Sequence, residues 1–104
     1  MTADGQNGAD SPPAPAEGQK PLIEYPTVYT FKVMGRQAPD FLDYVRDLFR
    51  QLMGTEISQD SIHEQPSSKG TYVSLSVSVY LLSEEHRRAI YTRLREEKRI
   101  VYYL

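Results

Sequence analysis

Residues 21–104 predict an α+β fold of the ferredoxin-like type, βαββαβ: a four-stranded antiparallel sheet with two helices on one face. Three observations carry that prediction. Phe41, Leu42, Val45, Leu48, Phe49 and Leu52 make a single apolar stripe at helical spacing. Thr71, Val73, Leu75, Val77, Val79 and Leu81 alternate with Tyr72, Ser74, Ser76, Ser78 and Tyr80, a period of two that means one buried and one polar face. The segments around these two supply the rest of the order strand, helix, strand, strand, helix, strand. Right-handed crossovers then put both helices on the same side of the sheet.

The first strand is expected over Val28–Met34, rich in Val, Tyr, Thr and Phe, with Pro26 before it where a missing N–H does little harm. Tyr29, Phe31 and Val33 share one face; Val28, Thr30, Lys32 and Met34 share the other. Gly35 ends it. The first helix is expected over Pro39–Met53, with Pro39 and Asp40 suited to its first turn and Gly54 to the position just past its end. Glu56–Gln65 reads as a weaker strand. Ile57 and Ile62 do not alternate in phase, which points to a bulge or an edge position. Pro66–Gly70 is a turn, and Thr71–Leu81 is the clearest strand, expected at the centre beside the first. Burying its odd set contributes on the order of 1.5–3 kcal/mol per large side chain. Ser83 is a good N-cap, with Glu84 and Glu85 at the positive helix end. The second helix runs to about Glu97 on a thin stripe of Ala89, Ile90 and Leu94, with Tyr91 on its flank. Arg99–Leu104 is the last strand.

Composition limits what this fold can do. A chain of 104 residues has room for one domain. Residues 1–20 are rich in Gly, Pro and Ala and hold few apolar side chains, so a disordered tail is expected there. The whole chain is formally −2, and Asp4, Asp10 and Glu17 against Lys20 account for it, which leaves residues 21–104 neutral. No global field draws the domain to nucleic acid. With no cysteine there is no disulfide framework, zinc–thiolate site or thiol nucleophile. The sequence has no apolar run of membrane-spanning length and its start lacks the basic and apolar regions of a signal peptide, so no membrane association and a cytoplasmic location are expected.

Several short blocks resemble a known family. They are Tyr25-Pro26, Thr30-Phe31-Lys32-Val33-Met34-Gly35, Pro66-Ser67-Ser68-Lys69-Gly70-Thr71-Tyr72 and Arg99-Ile100-Val101. Together, over residues 24–104, they resemble the YbeD-like family of small bacterial proteins. The long N-terminal tail departs from the family pattern. The resemblance implies an ACT-like, ferredoxin-like domain with a regulatory or ligand-sensing role, a tendency to pair as a homodimer, and no catalytic residues to carry over.

Three groups of residues are candidates for function. Ser67, Ser68, Lys69 and Gly70 could hold an anion through backbone N–H groups and the ammonium, with Lys32 as a second cation. The ordinary reading is a loop whose serines bond its own backbone and whose glycine takes positive φ. Tyr72 and Tyr80 lie on the polar face of the long strand, near Lys32, and RNA-binding domains of this topology stack bases on such rings. Serines separate the two tyrosines here, and the domain is neutral. Arg87, Arg88, Arg93, Arg95, Lys98 and Arg99 are interleaved with Glu84, Glu85, Glu96 and Glu97, the pattern of a solvated helix face. His63 and His86 stand alone, without a second ligand at metal spacing, and His86 reads as an exposed first-turn residue. The expectation is a non-enzymatic, ACT-like regulatory module without metal or cofactor, binding a small molecule or a protein partner. The alternative is a nucleic-acid-binding protein that uses the open sheet face.

Overall fold

The computed structural model describes residues 23–104, and the tail expected over residues 1–20 lies outside the described residues. The elements are β1 (Thr27–Arg36), α1 (Phe41–Met53), a 3-10 turn (Gln59–Ser61), β2 (Ile62–Pro66), β3 (Tyr72–Leu81), α2 (Glu84–Glu96) and β4 (Tyr102–Tyr103). They form one antiparallel sheet in the order β2-β3-β1-β4. The predicted βαββαβ order holds, and the long alternating strand is central, beside β1.

The alternation decides which face is covered. Phe31 and Val33 of β1 and Val73, Leu75, Val77, Val79 and Leu81 of β3 are buried beneath both helices. Phe31 ties the layers together, with its ring centroid 5.6 Å from Phe49 of α1 and 5.0 Å from Tyr91 of α2. α1 buries Phe41, Val45, Leu48 and Phe49, as its stripe predicts. Its end is closed by the Gly54 N–H, which donates to Arg50 O at 2.9 Å.

The structure corrects four expectations. The strand expected over Glu56–Gln65 is confined to Ile62–Pro66, and the chain before it is a loop and a 3-10 turn capped by Ser58. In a straight strand Ile57 and Ile62 would face opposite ways; the turn resets the phase, so both are buried. β2 lies at an edge, as the weak pattern suggests. In α2, Ile90 and Leu94 are buried but Ala89 is exposed, because the stripe that meets the sheet is only two residues wide. β4 is shorter than Arg99–Leu104: Ile100 N–H still closes a turn on Glu97 O, and pairing starts only where Val101 N–H reaches Met34 O at 2.8 Å. Finally, His86 is half-buried rather than exposed.

Gly35 permits a close approach. A Cβ there would collide with the Phe41 ring and lie 2.6 Å from Arg99 O. β1 can therefore pass beneath the start of α1 and the approach to β4 only with no side chain at this position.

Candidate functional site

A cleft of about 380 Å³ lies where the end of α1, the loop before β2, the end of β3 and the start of α2 meet. Met53, Ile57, Val79 and Leu82 give it an apolar lining, and Tyr80, Glu56 and His86 are its chemically distinctive polar members. Each arrives for a local reason. Ile57 is turned inward by the 3-10 turn that follows it. Leu82 lies just past β3, where the alternation breaks, and is 64% exposed. His86 is in the first turn of α2, which Ser83 caps by accepting from His86 N–H at 3.1 Å.

The His86 ring also bridges the helices. Its Nε2 is 3.1 Å from Leu52 O near the end of α1. A carbonyl can only accept, so Nε2 carries the proton and Nδ1 of the neutral ring is left as an acceptor. The sequence signal for this cleft was slight: a second leucine after a strict alternation, and one histidine at a helix start.

The predicted site residues fall into two separate places. Lys32 is on β1 and Tyr72 on β3, and with Met34, Ser67 and Ser74 they line a shallow hollow of about 180 Å³ on the open sheet face. The Arg36 guanidinium lies 5.7 Å from the centre of the Tyr72 ring, so a second cation stands at the same spot. Ser67, Ser68, Lys69 and Gly70 form the exposed β2–β3 turn. Here Gly70 N–H donates to Ser67 O at 3.0 Å, Tyr72 N–H donates to Ser67 Oγ at 3.2 Å, and Gly70 has φ +73°. Ser67 thus bonds the turn's own backbone. Tyr80 is elsewhere. It belongs to the cleft, eight residues along β3 from Tyr72, or about 26 Å at ~3.3 Å per residue. The two tyrosines do not make one stacking platform.

Four arginines on or beside the helices are paired with carboxylates. Arg99 donates to Asp40 at 2.8 Å, Arg93 to Glu97 at 2.8 Å and Arg87 to Glu84 at 2.7 Å, while Arg50 holds Asp47. Glu84 also accepts from Tyr25 Oη at 2.6 Å, and the Arg87 bond with this second donor lowers its carboxyl to about 2. Asp40 and Asp47 are held below the usual carboxylate range by Arg99 and Arg50; Glu97 is lowered by Tyr44 and then Arg93. Tyr44, half-buried and bonded to Glu97, and Tyr91, half-buried and bonded to Tyr29, are pushed up by desolvation and by these bonds. Among the described residues, no three His, Asp or Glu side chains gather as a metal would need.

Residues 20–104 match the family described as "Protein of unknown function (DUF493)". The chain belongs to this family. It is the family that the YbeD-like resemblance indicates. A "UPF0250 protein" of Paraburkholderia phymatum is 37% identical over 73 residues, 70% of this chain and 81% of that one. One from Leptothrix cholodnii is 32% identical over 76 residues, 73% of this chain and 82% of that one. The solution structure of protein HP0495 from H. pylori superposes with a TM-score of 0.66 at 18% identity, over 90% of this chain and 98% of that one. This last likeness is one of fold. Among the described residues, no helix is long and apolar enough to cross a membrane.

Proposed function

We propose that the protein is a non-enzymatic regulatory module that binds a small molecule or a short segment of a partner protein in the α1–β3–α2 cleft. One observation carries this reading: a concave site of about 380 Å³ with an apolar lining and a few convergent polar groups, the usual make-up of a ligand site.

The test is a two-dimensional amide NMR titration of the full chain with pooled amino acids, acyl compounds and phosphorylated metabolites. Shifts centred on Ile57, Ser78–Leu82 and His86 are expected, and Leu82→Glu should remove them while leaving the rest of the spectrum in place. A ligand that binds but shifts no residue of the cleft would sink the reading.

A second reading rests on Lys32 and Arg36 standing beside Tyr72 and the Ser67–Gly70 turn. This group suits the anionic end of a ligand. Lys32→Ala and Lys69→Ala should then each weaken a phosphorylated compound and leave the fold unchanged. Equal binding by both variants would remove it. The nucleic-acid alternative is weaker, since Tyr72 and Tyr80 serve different hollows.

A further inference from the structure

The cleft is also an open sheet edge. The β2–β3 ladder stops at Ile62 and Val77. Ser61 would face Ser78 next, but its N–H turns back to Ser58 O at 3.0 Å. β3 itself runs on to Leu81, paired with β1. The direction of its main-chain groups follows from bonds at its start. Thr71 O accepts from Gln37 N–H on the β1 side at 2.9 Å, and Tyr72 O accepts from Ser67 N–H on the β2 side at 2.8 Å. Even-numbered residues of β3 therefore point their N–H and C=O groups toward β2. For Ser78 and Tyr80 that direction leads past the end of β2 and into the cleft they line. Among the described residues, none outside the ladders bonds to these groups.

Two outward residues, two positions apart, repeat at about 6.6 Å, the repeat of any extended peptide. Met53, Ile57 and Leu82 supply apolar surface beside them. The segment that forms one wall is acidic, and the arginine beside it, Arg46, is engaged with Ile57 O at 2.8 Å. Residues 51–68 hold Glu56, Asp60 and Glu64 and no Lys or Arg. Glu56 lines the cleft, and Arg50, which senses it, is held by Asp47. A second copy pairing here about a two-fold axis would set these acids against themselves.

We propose that the cleft takes an extended segment of a partner protein, alternating apolar and basic residues, which adds to the sheet at Ser78 and Tyr80. This deepens the binding reading above and rests on it. Main-chain bonds would supply affinity, and the apolar lining and Glu56 would supply selectivity.

The experiment uses the isotope-labelled full chain and the blocked tetrapeptide acetyl-Val-Lys-Val-Lys-amide. Its controls are the same peptide methylated on all four residue nitrogens, and acetyl-Val-Glu-Val-Glu-amide. The lysine peptide should shift Ile57, Ser78, Tyr80 and Leu82 saturably and slow amide exchange at Ser78 and Tyr80 about tenfold or more. Methylation or charge reversal should weaken it by about tenfold or more. Glu56→Gln should narrow the gap between the lysine and glutamate peptides. Equal binding by the methylated peptide would overturn strand addition. If the metabolite pool shifts the cleft and no peptide does, the peptide proposal falls and the cleft reading stands; if no probe shifts it, both fall. A free chain that sediments as a dimer with Ser78 and Tyr80 already protected would assign the edge to a second copy and overturn the proposal.

Discussion

Gly35 and Glu84 show how single residues set this structure. At Gly35 a side chain would strike the Phe41 ring and Arg99 O. Gly35→Ala should therefore cost about 1–3 kcal/mol by overpacking, read as a lower urea midpoint; an unchanged midpoint would mean that α1 shifts freely. Glu84 gathers Tyr25, Arg87 and Arg88, and its folded-state pKa, about 2, lies below the ordinary 4.5. The folded state thus holds this proton more weakly than the unfolded chain does. The stabilisation is fully present above about pH 4.5 and is lost as pH falls through about 2. Glu84→Gln should flatten the acid limb of stability against pH in that window, and an unchanged limb would assign acid sensitivity to other carboxylates. Some residues gave no such warning in the sequence. His86 looked like an exposed first-turn residue because its partner, Leu52 O, is 34 positions away and on another helix. A main-chain acceptor leaves no trace in residue identity.

At the scale of elements, legibility followed the regularity of the apolar pattern. α1 and β3 each repeat their pattern for the whole of their length, and both were read to within a few residues. The segment from Glu56 to Ser61 departs from the expected strand because two isoleucines five positions apart can both be buried only where the phase slips, and the 3-10 turn supplies that slip. The cleft is illegible in the sequence for a related reason: four separate segments build it, and no local pattern joins them. Of the two helices, α2 has less to hold it. Ile90 and Leu94 are its buried side chains, so Leu94→Ala should cost about 2–5 kcal/mol. Ser83→Ala should cost about 1 kcal/mol through loss of the cap on His86 N–H. If the cap variant costs as much as the core variant, α2 depends on its start more than on its packing, and the cleft would inherit that weakness, since His86 sits there.

For the whole molecule, the sheet is unequal from centre to edge, and that inequality can be measured. β1 and β3 pair over ten residues each and carry most of the buried face. β2 buries Ile62 alone, and β4 is a two-residue strand with Tyr103 only half-buried. Opening free energy tracks buried apolar contact and main-chain pairing. Amide exchange should therefore be slowest at Phe31, Val33, Leu75 and Val77, faster at His63–Gln65, and faster again at Tyr102 and Tyr103. The bonds between Lys32 and Leu104, at 2.8 and 3.0 Å, run both ways but have solvent on the open face, so they should open with β4 rather than with the core. Protection at Tyr102 equal to that at Leu75 would mean that the edge unfolds only with the whole domain. The predicted ranking would instead mean that the interior ladder stays closed while the edges open. In that case a ligand or strand could seat at the end of β3 without disturbing the core beneath it.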